Sequence, residues 1–254
     1  MSVLALRLGG PLQAWGGSQR LERYRRTELF PTKSAVLGML VAALGRDRRD
    51  PVDDLVTLRF GVRADRPGEL LRDFHTLSSL FDDNRRFAPE RGRLPTASGA
   101  YRPASTSTQV TERFYLSDAC FVAGFEGPTE TLRDLDEALR RPAFPLYLGR
   151  RSCPPDRPVR LGVHDGDLLT VLGSIPFQDG GGVMPPGPSV RCEAVVEDAG
   201  GDRELVDQVR TFDSIARSYG RRRVRHHYLV VPNPTQAAGT GASEHDPMTL
   251  LEES

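Results

Sequence analysis

The chain has 254 residues, of which 38% are hydrophobic, and its 34 lysine and arginine residues balance 34 aspartate and glutamate residues. This length and apolar content suffice for one large or two small domains, and the zero net charge means that nucleic-acid binding would depend on local basic patches. No apolar run is long enough to span a bilayer, which argues against a membrane protein, and three widely spaced cysteines argue against disulfides and zinc and favour a reducing cytoplasm.

The first quarter of the chain predicts a strand, a polar loop, a helix and a second strand. Residues 3–8 are apolar and are stopped by Gly-Gly-Pro, which is typical of a strand. A loop over 11–31 carries the only tryptophan and several arginines. Thr32 is a suitable N-cap for an apolar helix that extends to Leu44, and residues 56–64 alternate apolar and polar side chains as a half-buried strand does.

The remaining chain is less regular. Residues 65–112 break the pattern, and so long a stretch within a domain is usually functional or disordered. Residues 113–125 predict one buried strand, and 130–140 predict a helix whose Asp134 and Glu137 face water. Short strands are predicted near 159–163, 168–173, 190–197 and 228–231, and the acidic residues 232–254, rich in proline and glycine, are predicted to be a mostly disordered tail.

This order of elements predicts the fold. A β-α-β unit, an excursion and a second β-α-β unit make the ferredoxin-like pattern. We therefore expect an α+β fold: a ferredoxin-like (RRM-like) β-α-β-β-α-β domain over 1–231, with an insertion at about 77–112 and an irregular β-rich extension at about 155–231. RNA-recognition domains share this pattern with many unrelated functions, so the fold alone assigns none.

The only lysine, Lys33, stands at the start of the predicted helix. Together with Ser34 it would lie beside the unpaired N–H groups of a helix N-terminus, which bind anions such as phosphate. A Walker A loop is excluded because Glu28 occupies the first glycine position and Thr32 precedes Lys33. The alternative is an ordinary core helix with a solvated lysine.

Four short segments combine turn-forming residues with an aromatic, hydroxyl or cationic side chain: 8–16, 30–34, 73–76 and 147–154. Arg150, Arg151 and Ser152 could offer two guanidinium groups and a hydroxyl to a phosphate backbone. Trp15 and Tyr147 could stack on unpaired bases. Singly, Trp15 could be a core residue and the two arginines a solvated pair, whereas together the segments favour a cradle for single-stranded nucleic acid.

The four segments in this order, together with 114–121, resemble the CasD family of the type I-E CRISPR Cascade complex, in the RAMP superfamily. The resemblance, over about 3–231, implies a subunit that holds the 5′ handle of the crRNA, caps the filament of CasC backbone subunits and helps to seat the large CasA subunit. It would meet the other Cascade subunits in the complex and target DNA only through the complex. The insertion would be a thumb-like β-hairpin that lies across the RNA and packs against CasC. We predict the following RNA-binding residues: Gln13, Trp15, Lys33, Ser34, His75, Thr76, Arg102, Thr108, Gln109, Tyr147, Arg150, Arg151 and Ser152.

Some relatives in another CRISPR subtype cut precursor RNA, so a metal-independent endoribonuclease is the alternative function. Such cleavage needs a base, an acid and a cation. The candidates are His75, Lys33, Tyr147 and the pair His226 and His227, and no second catalytic group is recognisable beside any of them. We therefore predict a non-catalytic RNA-binding scaffold with no catalytic residue, metal or cofactor. A DNA-binding or purely protein-interaction subunit is a third class. His226 and His227 lie in the densest basic cluster, over 217–227, whose cations would lower the pKa of both rings but could also simply bind phosphate.

Overall fold

The computed structural model describes residues 1–16, 24–77, 109–178, 184–213, 216 and 218–234. Strands dominate it. The helices are α1 (Lys33–Ala43), α2 (Asp53–Val56), α3 (Thr129–Arg140) and α4 (Leu168–Ser174). The strands are β1 (Ser2–Gly9), β2 (Leu12–Gln13), β3 (Tyr24–Arg25), β4 (Arg59–Arg66), β5 (Glu69–Leu77), β6 (Gln109–Ser117), β7 (Cys120–Gly127), β8 (Arg160–Asp165), β9 (Ser189–Glu197), β10 (Arg203–Thr211) and β11 (Ser218–Pro232). The predicted α+β class is confirmed.

Seven of these strands form a large sheet in the order β10-β11-β9-β4-β7-β1-β8. All of its neighbouring strands are antiparallel. The chain passes from β1 through α1 to β4, and from β7 through α3 to β8, and these four strands lie side by side as β4-β7-β1-β8. Strands β9, β10 and β11 extend the sheet beyond β4.

Both faces of the large sheet are covered by helices. α1 and α3 pack on one face, where Leu37 and Leu132 join a core that includes Leu4, Phe60 and Phe125. α4 packs on the other face, against residues that include Val3, Val122 and Val196. Strands β1 and β7 are therefore buried on both sides, which explains their continuous apolar sequences.

Two sequence predictions are wrong in this region. Residues 168–173, predicted as a strand, belong to α4, because the side chain of Asp167 accepts hydrogen bonds from the backbone N–H groups of Leu169 and Thr170 and caps the helix. Residues 113–125 are not one strand. β6 ends at Ser117 and β7 begins at Cys120, and Asp118 turns the chain between them with a φ of 54°.

A second, smaller sheet, formed by β2, β3, β5 and β6, lies beyond the end of β4 and the start of β7. β5 and β6 pair in register from Glu69 with Ser117 to Leu77 with Gln109, while β2 and β3 pair with the other edge of β6. β5 corrects the expectation that the irregular stretch begins at residue 65. The two ends of the predicted insertion are thus the paired strands of a hairpin. Residues 78–108 and 235–254 lie outside the described residues, so the boundaries of the insertion and tail remain predictions.

Candidate nucleic-acid interface

The structure brings three of the four predicted segments, 8–16, 30–34 and 147–154, together at the C-terminal end of β1, whereas 73–76 lies on β5. The backbone N–H of Ala14 donates to the carbonyl of Leu148 at 3.0 Å, and the hydroxyl of Thr32 donates to the carbonyl of Gly16 at 3.1 Å. Gly149 has a φ of +89°, and a Cβ there would collide with the carbonyl of Ala14. The loop over 147–154 can therefore pack against this segment only with glycine at that position.

Gln13 and Trp15 lie inside the protein. Both residues are 0% exposed. The indole N–H of Trp15 donates to Oε1 of Gln13 at 3.0 Å, and Nε2 of Gln13 donates to the carbonyls of Leu8 and Ala119. These bonds satisfy the polar groups of both side chains within the core. The geometry therefore gives Trp15 a packing role and Gln13 the role of holding the loop to β1 and to the turn before β7.

Lys33 and Ser34 are also buried, and the expected anion site at the start of α1 is already occupied. The backbone N–H of Lys33 donates to Oδ2 of Asp207 at 2.9 Å, and Asp207 is paired with Arg222. Nζ of Lys33 lies 2.9 Å from both Oε2 of Glu197 and the carbonyl of Val56. Burial lowers the pKa of Lys33, whereas Glu197 opposes this shift. In this structure Lys33 therefore has no group facing solvent with which to bind a phosphate.

Arg150, by contrast, belongs to an arginine cluster that also contains Arg25 and Arg113. Arg25 of β3 is the register partner of Arg113 of β6. The guanidinium group of Arg150 donates to the carbonyls of Phe114 at 3.2 Å and Arg25 at 2.8 Å, and it lies 4.7 Å from the centroid of the Tyr115 ring. The cluster thus joins three segments that are far apart in the sequence.

The arginine cluster has no ion-paired partner among the described residues. The Nε atoms of Arg25 and Arg113 are buried without a hydrogen-bond acceptor in that part of the chain. Burial, followed by the charges of Arg113 and Arg150, lowers the pKa of Arg25. An unsatisfied buried donor costs about 1–3 kcal/mol, and the like charges add repulsion. An anion among the three guanidinium groups would relieve both costs.

The other predicted residues lie on β5, in the loop over 147–154, or beyond the described part of the chain. Asp73 and His75 of β5 face Arg113 and Thr111 in register, and Nδ1 of His75 is 3.7 Å from Oδ2 of Asp73. Thr76 is exposed on the same strand. In the loop over 147–154, Tyr147 is half-buried and Arg151 and Ser152 are exposed. Arg102, Thr108 and the side chain of Gln109 lie outside the described part of the chain.

Sequence reasoning missed Arg25 and Arg113 as site residues. Arg25 lies in the arginine-rich loop noted over 11–31, which was a usable signal, whereas Arg113 was assigned to a buried strand. Among the described residues, no helix combines the length and apolar character needed to cross a membrane. In the same part of the chain, no three histidine, cysteine or acidic side chains are grouped closely enough to hold a metal ion.

The chain is similar to several known proteins. The family model described as CRISPR-associated protein (Cas_Cas5) matches residues 3–225. The CRISPR system Cascade subunit CasD of Escherichia coli (strain K12) is 38% identical over 179 residues, which are 63% of this chain and 70% of that protein. A chain of a solved CRISPR RNA-guided surveillance complex is 33% identical with a TM-score of 0.74, covering 99% of this chain and 98% of that chain. A crystal structure of a Cas protein is 36% identical with a TM-score of 0.67, covering 91% and 98%.

These likenesses extend over almost the whole fold, including both sheets, and they place the chain among the CRISPR-associated proteins. The chain belongs to the Cas_Cas5 family, since the family model accounts for most of its length. The resemblance to CasD inferred from the four segments is also confirmed, because the similar protein from Escherichia coli is a CasD subunit.

Proposed function

We propose that the chain is a non-catalytic RNA-binding subunit of a CRISPR surveillance complex and that it holds the 5′ handle of the crRNA. The observation that carries this proposal is the arginine cluster, in which, among the described residues, two buried Nε–H groups have no acceptor and none of the three guanidinium groups forms an ion pair. A phosphodiester group supplies both the charge and the acceptors that are missing. The similar proteins, a Cascade subunit and a chain of an RNA-guided complex, support RNA as the source of that phosphate.

The surroundings of the arginine cluster suit single-stranded RNA. Arg151 and Ser152 are exposed on the same loop as Arg150 and would extend the phosphate contacts. Tyr24, which is 45% exposed, adjoins Arg25, and Tyr147 is half-buried at the other side of the loop. A positively charged groove with aromatic rings beside it is the usual means of binding unpaired strands. The buried residues Gln13, Trp15, Lys33 and Ser34 would act indirectly, by holding the loops in place.

The remaining parts of the proposal concern assembly. The strand order β4-β7-β1-β8 supports a ferredoxin-like domain, and the paired ends of β5 and β6 support a thumb-like hairpin. Leu70 and Phe74, exposed by 59% and 61% on one face of β5, would pack against a neighbouring CasC subunit. The protein would then cap the CasC filament beside the large CasA subunit, meet target DNA through the complex, and work in the cytoplasm.

Purification of the full chain with its operon partners, followed by sequencing of the bound RNA, tests this function. We expect a uniform crRNA whose 5′ handle is protected from ribonuclease when this subunit is present and exposed in complexes that lack it. A matched complex containing an Arg133→Gln variant, altered on the exposed face of α3, should protect the handle normally. Equal protection of the handle with and without the subunit would contradict the proposal.

The endoribonuclease alternative has one observation in its favour. His75 and Asp73 lie on the same side of the small sheet as Arg113, where a base and a cation could approach one phosphate. The second histidine candidate, His226, is instead bonded to Glu193 at 2.7 Å and to Arg203 at 3.2 Å. These partners hold the ring within β11 and its neighbouring strands.

We expect His75→Ala and His226→Ala to leave cleavage of precursor RNA by the whole complex unchanged, because the described residues place no recognisable acid beside the His75 and Asp73 pair. The rate of precursor cleavage measures this, and the chain alone should not cut repeat RNA in EDTA. Specific cleavage by the purified chain that disappears with His75→Ala would support the endoribonuclease and remove the scaffold proposal.

A further inference from the structure

We propose that the first half of β11 carries a second nucleic-acid surface, which binds the sugar–phosphate backbone of a duplex. It consists of Arg221, Arg223 and Arg225, here called the basic stripe, and all three are exposed. Alternate residues of a strand point to the same face, so the three side chains follow a line about 14 Å long. One strand of a B-form duplex presents roughly four phosphates over that length.

The ion pairs of the basic stripe can be exchanged for phosphates. Arg221 lies 3.2 Å from Glu204, and Arg225 lies 3.0 Å from Asp198, and all four side chains are substantially exposed. Arg223, in the centre, forms no ion pair with any described residue. Exposed ion pairs contribute little to stability and are screened by salt, so a phosphate can replace either carboxylate at small cost. Because binding would depend on phosphate contacts, it should be sensitive to salt.

The surroundings of the basic stripe favour a duplex over a single strand. Single-stranded sites combine positive charge with aromatic rings for base stacking, whereas nonspecific duplex binding requires only phosphate contacts. Among the described residues, the register and ion-pair partners of these arginines are Glu204, Val196 and Asp198, which have no ring. Tyr219 and His227, which continue the alternation at either end, are only partly exposed.

The basic stripe is distant from the arginine cluster. Arg225 pairs in register with Val196, which in turn pairs with Gly61 near the start of β4. The small sheet that holds the arginine cluster follows the opposite end of β4, at Arg66. The intervening strand length is roughly 20 Å. The two surfaces can therefore be altered separately, and this inference goes beyond binding of the crRNA handle.

The test compares two triple variants of the full chain that remove the same charge. Arg221, Arg223 and Arg225 are changed to glutamine in one, and the exposed Arg133, Arg140 and Arg141 of the α3 region are changed to glutamine in the other. Binding to short duplex DNA, duplex RNA and single-stranded RNA of unrelated sequence is measured by fluorescence anisotropy over a series of salt concentrations. Denaturant unfolding curves verify that both variants fold like the unaltered chain.

We expect the stripe variant to lose duplex affinity and to lower the slope of log K against log salt by about 2–3, since three phosphate contacts disappear. The α3 variant should keep most of its duplex affinity, and single-stranded RNA should bind the stripe variant normally. If the stripe variant loses affinity for DNA and RNA duplexes alike, the surface recognises the sugar–phosphate backbone of either duplex. If it loses affinity for the DNA duplex alone, the surface recognises the B-form geometry.

Three results would overturn the inference: unchanged duplex binding by the stripe variant, equal losses in the two variants, or equal losses of single-stranded and duplex binding. A stripe variant that binds duplexes normally but no longer joins the complex would likewise overturn it and assign this face to a protein partner. A variant with Arg25 and Arg113 changed to glutamine should show the opposite behaviour, with RNA binding lost and duplex binding kept, so failure of either proposal can be recognised separately.

Discussion

Changing Arg25 and Arg113 together to glutamine should reduce the affinity of the chain for single-stranded handle RNA by roughly 100-fold or more. A hydrogen bond to a charged group contributes about 1.5–3 kcal/mol, and each 1.4 kcal/mol is a factor of ten in affinity. The salt slope should fall by about 0.7, because the arginine cluster would bind one phosphate and each phosphate contact on a single strand contributes roughly that amount. Anisotropy titrations of the chain and of the assembled complex measure both quantities.

The same variant should not lose stability. Arg25 and Arg113 repel each other in the structure and each buries an Nε–H group without an acceptor, so removing the charges takes away a cost of folding. We expect an unfolding free energy equal to or above that of the unaltered chain. Arg150 is left intact because it also donates to two backbone carbonyls. A variant with Arg133 and Arg141 changed to glutamine is the matched control. Full RNA affinity in the double variant would refute the phosphate site.

The largest loss of stability is expected from Asp207→Ala. Asp207 is 4% exposed, and its carboxylate accepts two hydrogen bonds from Arg222 and one from the first backbone N–H of α1. Without it, the buried Arg222 has no carboxylate partner among the described residues, and the helix N-terminus loses its acceptor. Breaking a buried ion pair in this way costs about 3–5 kcal/mol.

Glu204→Ala is a matched control for Asp207→Ala, because Glu204 lies on the same strand and pairs with Arg221 at the surface. An exposed pair of this kind contributes at most about 1 kcal/mol. Urea unfolding of both variants measures the difference. Equal losses would mean that Asp207 does not fasten β10 and β11 to α1.

The variant Lys33→Met tests whether the lysine at the start of α1 forms an internal ion pair or contacts a phosphate. If its ammonium group only joins Glu197 and the carbonyl of Val56, Lys33→Met lowers the free energy of unfolding and leaves the salt slope of RNA binding unchanged. If it reaches a phosphate, the slope falls by about 0.7. The structure favours the first result, since the side chain is 0% exposed.

The sequence by itself determined the elements whose local pattern is unambiguous. The apolar run before Gly-Gly-Pro is β1, Thr32 is the N-cap of α1, and the leucines at helical spacing form the buried side of α3. The predicted exposure of Asp134 and Glu137 is also confirmed. Such features depend on periodicity and on neighbours a few residues away, so the local sequence contains the information that predicts them. The missed cap at Asp167, which made α4 look like a strand, was equally local and could have been recognised.

Only the tertiary structure decided which polar side chains are available to a ligand. The segments holding Trp15 and Lys33 were located correctly, yet both side chains are buried. Leu8 and Ala119 hold Gln13, the partner of Trp15, inside the core, and Glu197 of β9 reaches the ammonium group of Lys33 from far along the chain. The arginine cluster likewise exists only because β3, β6 and the loop over 147–154 converge. Burial and like-charge proximity are properties of long-range packing, and no local spacing in the sequence encodes them.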